Sequence, residues 1–135
     1  MPIGQINNNE SGASVRAKLN NVISVVSPLY DRKIYRAWVQ QSGTNAPTEV
    51  AVFENTLGGN LTWSRTGAGY YLASLTGAFP TGKVFSMISP IPGTNTGLGM
   101  DWVRNNNDSM ALRTYVNGTL TDGVLNAMVE VQVYP

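Results

Sequence analysis

Apolar side chains recur at Val15, Leu19, Val22 and Val26, and Ile23 widens the same stripe. Steps of four, three and four residues repeat one face of a helix, so the pattern predicts an amphipathic helix over residues 11–27. Ser11 or Ser14 can cap its start, and Pro28 disfavours helical geometry at Ser27, where the helix is expected to stop. Arg16, Lys18, Asn20 and Asn21 fall on the water side. The stripe has two uses: to pack on the chain's own β-domain, or to bundle with copies of itself. Two heptads are too short to hold a coiled coil alone, because a short helix repays its nucleation cost poorly.

From residue 29 onward the period drops to two. Alternation predicts strands at 33–40, 49–54, 61–66, 70–76, 83–89, 97–104, 110–116 and 125–134, with Gly, Pro, Asn and Asp clusters between them. The hairpin at 61–76 is the clearest. Leu61, Trp63 and Arg65 share one face of its first strand, and Tyr71, Ala73 and Leu75 alternate with Tyr70, Leu72 and Ser74 on its second. The link Gly67-Ala68-Gly69 supplies the positive φ that a tight reversal needs. In the last strand Ala127, Val129, Val131 and Val133 oppose Met128, Glu130, Gln132 and Tyr134, which implies one dry face and one wet one. Short strands at this spacing predict a mainly β protein: an antiparallel β-sandwich or jelly-roll-like domain of about eight strands, preceded by one α-helix. The expected division is an arm and helix over 1–28 and the β-domain over 29–135.

Composition narrows the function more than the fold. The chain has 135 residues, enough for one domain with a real core. Charged residues make up only 13 %, about half the usual share, and Asn, Thr, Ser and Gly take their place. A net charge of +1 from nine scattered Lys and Arg leaves no electrostatic footprint for nucleic acid. No apolar run approaches the ~20 residues of a membrane-spanning helix, and Met1 to Asn7 does not read as a signal peptide. The expectation is therefore no nucleic acid, no membrane insertion and no secretory route, which also discounts the glycosylation sequons at Asn9, Asn60, Asn107 and Asn117.

Cys and His are both absent, which removes disulfides, thiolate metal sites, the commonest general base and the commonest transition-metal ligand. Residues 77–83 match the glycine and lysine spacing of a phosphate-binding loop, but Val84 stands where a hydroxyl should ligate magnesium and a strand follows instead of a helix. Asn105 to Asp108 resembles part of a calcium loop without its Gly or distal Glu, and turn chemistry explains it better. Glu49 and Glu54 lie five apart on opposite strand faces, so they are no obvious acid–base pair for a glycosidase. No catalytic residue, metal or cofactor is expected. Trp38, Trp63, Tyr70, Tyr71 and Trp102 form a candidate sugar-stacking set, although aromatics on strands are more often core.

Several strings resemble a module of bacteriophage and prophage structural proteins over about residues 33–90: 41–47 (QSGTNAP), 54–58 (ENTLG), Trp63, Arg65, Gly69-Tyr70, 75–79 (LTGAF) and Gly82-Lys83. The segments Ile6-Asn7-Asn8, Glu10-Ser11-Gly12, Ser14-Val15-Arg16 and Lys18-Leu19-Asn20 are similar to the openings of phage fibre and adaptor proteins. The resemblance implies a virion component made in the bacterial host cytoplasm: a homotrimeric fibre, spike or head-decoration subunit that contacts other virion proteins and, at its far end, a host-surface glycan. On that reading Val15, Leu19, Val22, Ile23 and Val26 are the oligomerisation stripe. Ile3, Ile6, Asn7 and Asn8 are the arm that grips the particle. The resemblance carries no catalytic residues.

Overall fold

The computed structural model describes residues 9, 11–91, 97–123 and 125–135, and the proposed attachment residues Ile3, Ile6, Asn7 and Asn8 lie outside that set. The chain divides into two units, one ending at Arg32 and the other running Lys33–Tyr134. That boundary falls four residues after the one expected from the sequence.

In the first unit, helix α1 spans Gly12–Tyr30. Ser11 is the N-cap: its hydroxyl accepts from the Ser14 amide at 3.3 Å, and its carbonyl takes the first helical bond from Val15 at 3.1 Å. The far end differs from the sequence expectation. Pro28 lies inside the last turn, and the helix closes where the Asp31 amide donates to the Ser27 carbonyl at 2.9 Å. Pro28 has no N–H to give the carbonyl of Ser24, and the helix nonetheless runs two residues beyond it.

The second unit is an antiparallel two-sheet β-sandwich. Its strands are β1 (Lys33–Gln41), β2 (Thr48–Asn55), β3 (Thr62–Gly67), β4 (Tyr70–Ser74) and β5 (Val84–Pro90). They continue as β6 (Gly99–Asn106), β7 (Ser109–Val116), β8 (Thr119–Leu120) and β9 (Leu125–Val133). Sheet A has the order β2-β1-β9-β5, and sheet B the order β3-β4-β7-β6 with β8 pairing the end of β7. The two-residue β8 follows Asn117-Gly118, both at positive φ (49° and 77°), the pairing that a tight hairpin favours.

Alternation along the strands builds the core between the sheets. Tyr35, Ala37 and Val39 of β1 and Val129, Val131 and Val133 of β9 meet Tyr71 and Ala73 of β4 and Met110 and Leu112 of β7. Leu57, Leu61 and Phe79, from connecting segments, plug its rims. Phe79 is held there by its own backbone, which donates to the Asn107 carbonyl at 2.9 Å and accepts from Arg104 Nε at 2.7 Å.

One irregularity shapes the edge of sheet A. The register of β1 on β2 shifts twice, so that Val50 and Phe53 have no opposite residue on β1. Each extra residue bends the edge strand, which hinders simple extension of the sheet by another chain. Both side chains remain exposed.

Candidate functional site

Among the polar groupings of the β-domain, three gather around a single carboxylate. In the first, the Thr121-Asp122-Gly123 segment crosses the end of the β3–β4 hairpin. The Asp122 carboxylate accepts a forked pair from Arg65 (3.1 and 2.6 Å), the Gly69 amide at 2.9 Å and the Tyr71 hydroxyl at 2.8 Å. The Arg65 bonds and then the Gly69 amide hold the Asp122 carboxyl far below its ordinary range. Burial, aided by the carboxylate, pushes Tyr71 up to about 12. Thr114 completes this clasp: its amide donates to the Gly69 carbonyl at 2.9 Å and its hydroxyl to the Thr121 carbonyl at 2.7 Å.

In the second grouping Glu49 accepts from the Tyr35 hydroxyl at 2.5 Å and from Trp63 Nε1 at 3.1 Å. Burial of Tyr35, reinforced by Glu49, raises that phenol well above its ordinary value. In the third, on the outer face of sheet B, Arg113 forks onto Asp101 with two bonds of 2.7 Å, and Tyr115 donates to the same carboxylate at 3.1 Å. In each grouping a carboxylate ties together separate segments of the chain. A general acid at neutral pH needs a raised carboxyl pKa, and Asp122 is moved the opposite way. Glu54 pairs with Arg36 on the outer face of sheet A while the exposed Glu49 meets the hydroxyl of the buried Tyr35 on the other face, so the two glutamates are divided as the strand spacing predicts. Among the described residues no cluster of three or more His, Cys, Asp or Glu is placed to hold a metal ion.

The five aromatic residues of the candidate sugar-binding set do not come together. Tyr71 and Trp102 are buried in the core, where no ligand reaches them. Trp63 packs on that core and stacks on Trp102 with ring centroids 5.6 Å apart. Trp38 lies on the outer face of sheet A, donating to Asn126, whereas Tyr70 lies on the outer face of sheet B, donating to Asn105 at 3.3 Å. Period-two alternation separates Tyr70 from Tyr71 by construction.

A depression of about 460 Å³ beside the β1–β2 turn is lined by the polar side chains of Gln40, Gln41, Ser42, Asn45, Thr48 and Asn126 together with Ala46 and Leu125. Gln41 pins that turn, donating to the carbonyls of Gly43 at 2.5 Å and Asn45 at 3.3 Å, and its buried Oε1 has no partner among the described residues.

No family model, curated protein or solved structure matches this chain. Function therefore rests on surfaces that can be read directly.

Two surfaces stand out. On α1 the stripe residues Leu19 and Ile23 are 48 % and 59 % exposed, while Val15, Val22 and Val26 are half-buried. No helix among the described residues is long and apolar enough to cross a membrane. On the outer face of sheet A a groove of about 390 Å³ crosses all four strands, from Phe53 past Arg36 and Met128 to Met87. Phe53 is 61 % and Met87 51 % exposed. Sequence reading missed this groove. The alternation in β9 had put Met128 and Glu130 on one face together, but the placing of Phe53 depends on a bulge that no local pattern announces.

Proposed function

We propose that the chain is a bacteriophage virion structural subunit that works as a homotrimer, through shape and self-association rather than catalysis. Its place would be a fibre, spike or head decoration, joined to other virion proteins, with host-surface glycan contact as a secondary role. The observation that carries this reading is the α1 stripe. Leu19 and Ile23 each leave about half of a large aliphatic side chain in water, and burying that remainder is worth on the order of 1 kcal/mol per side chain. Summed over three subunits, that is a substantial driving force for association. The β-domain suits the same role. It folds without disulfides and ties distant segments together by ion pairs such as Arg65–Asp122 and Arg36–Glu130. The phage-like strings at 41–47, 54–58 and 75–79 supply the virion assignment.

Sedimentation at micromolar concentration tests it. The unmodified protein is expected at three times the 14.5 kDa chain mass. The paired variant Leu19→Asp, Ile23→Asp is expected at the monomer mass with an unchanged β-sheet circular dichroism spectrum, because the substitutions place unpaired charge in the interface. A monomeric unmodified protein that joins no phage particle would overturn the proposal.

A further inference from the structure

We propose that the depression beside the β1–β2 turn binds an uncharged saccharide. The proposal rests on the glycan-contact part of the functional reading and deepens it by giving that contact a place and a ligand class. Strands β1, β2 and β9 come together here: Gln40 pairs with Thr48 on one side and Asn126 on the other, and Gln41 pairs with Leu125. Consecutive residues of a strand face opposite ways. The depression therefore wraps over the end of sheet A, taking Gln40 and Asn126 from the outer face and Gln41 and Leu125 from the inner one. Its volume of about 460 Å³ suits a small ligand, for which ~300–1,000 Å³ is usual.

Gln41 points to a ligand. The residue is 3 % exposed, and its amide nitrogen donates to the carbonyls of Gly43 and Asn45 at 2.5 and 3.3 Å. Turning the amide over would set its oxygen against those same two carbonyl oxygens, so the orientation is fixed. Oε1 is then a buried acceptor, and no donor reaches it among the described residues. A buried acceptor left without a donor is costly, and a ligand hydroxyl supplies what this one lacks.

The rest of the lining selects the ligand class. Among the described residues no charged side chain lines the depression, which leaves a hard metal ion without carboxylates and an anion without a cation. Gln40, Ser42, Asn45 and Thr48 are exposed there, and their amides and hydroxyls can each give and take hydrogen bonds. Sugar hydroxyls do the same. Trp38, two residues before Gln40 on the outer face of β1, donates its indole N–H to Asn126, which brings the half-buried ring to the rim of the depression. Together with Ala46 and Leu125 it offers apolar surface to the C–H face of a sugar ring.

Nitrogen–proton correlation NMR of the full chain tests this with maltotriose, lactose and chitotriose as neutral probes and inorganic phosphate and calcium as charged ones. Each is raised to ~10 mM, enough to detect a site with a millimolar Kd. At least one neutral sugar is expected to shift the side-chain amides of Gln41 and Asn45 and the indole N–H of Trp38 in a saturable way, and neither ion is expected to do so. The paired variant Gln40→Ala, Asn45→Ala is expected to bind that sugar at least tenfold more weakly with an unchanged melting temperature, since both side chains are exposed and Gln41 holds the turn through the backbone of residue 45. No response to any of the three sugars would overturn the proposal, as would undiminished binding in the variant or shifts confined to another surface such as that around Tyr70. Saturable shifts from phosphate or calcium at these residues would overturn the ligand class. Sugar shifts that leave the Gln41 amide untouched would overturn it as well, because water would then be the partner of Oε1. None of these failures bears on the trimer, which sedimentation reads separately.

Discussion

Gly69→Ala is expected to lower the melting temperature by at least roughly 15 °C, while Gly67→Ala, two residues away, changes it little. Gly69 sits at φ +62°, and a Cβ there would lie 2.5 Å from the Thr114 carbonyl oxygen, 2.5 Å from the Thr121 nitrogen and 2.9 Å from the Thr121 oxygen. All three atoms are backbone, so no side chain can rotate away. The left-handed conformation alone costs about 1–2 kcal/mol for a residue with a Cβ. Relieving the contacts means pulling the hairpin from β7 and giving up the bonds from Thr114 to Gly69 and from Gly69 to Asp122, each worth about 1 kcal/mol. A total near 4 kcal/mol is a large share of the ~5–15 kcal/mol that holds an ordinary domain together. At Gly67 an added Cβ meets nothing within 4 Å, so alanine there is expected to be neutral or slightly stabilising. Thermal unfolding followed by circular dichroism compares the pair, and equal melting temperatures would refute the account of the clasp.

Asp122→Ala is expected to cost about 2–3 kcal/mol, less than a fully buried ion pair because both Asp122 and Arg65 keep some contact with water. The variant takes the carboxylate acceptor away from the hydroxyl of Tyr71, a wholly buried ring. It also changes the pH profile. The folded-state pKa of Asp122 is depressed, so its contribution is fully present above the unfolded value of about 3.9 and is lost as pH falls below it. Urea midpoints between pH 5 and 2 should therefore fall more steeply in the unmodified protein than in the variant. At the alkaline end the sign reverses. Tyr71 is raised from 10.0 to about 12, so its contribution is intact below pH 10 and drains away between 10 and about 12. Parallel profiles for the two proteins in acid would mean that Asp122 does not carry the linkage.

Much of the β-domain was legible because its signals are local. The hairpin around Gly67-Ala68-Gly69, the alternation from Leu125 to Val133 and the Asn117-Gly118 reversal each announce themselves within ten residues. What stayed hidden depends on residues far apart in the chain. Arg65 and Asp122 are separated by 57 positions, and nothing near either one marks the other as its partner. Alternation separates two faces without saying which one turns inward, so Tyr70 and Tyr71 looked equally available as sugar platforms until the opposing sheet was in place. The end of α1 was misread for another reason. Proline removes one donor and disfavours helical geometry in the residue before it, yet α1 carries on two residues past Pro28, to Tyr30. The stripe on α1 was read residue by residue from its spacing, whereas the groove on sheet A needs four strands and a bulge to exist.

The strand order of sheet A has a consequence for how the protein is made. Strand β9 lies between β1 and β5, yet it leaves the ribosome after both of them. Until it inserts, β1 has a partner on one side only and β5 has none, so the half-made sheet offers bare backbone donors and acceptors to any nascent chain nearby. Cells that synthesise this polypeptide in quantity must therefore carry it through an interval in which mispairing competes with completion. Ribosome stalling or premature termination before residue 125 would yield sticky, insoluble fragments instead of a smaller working protein.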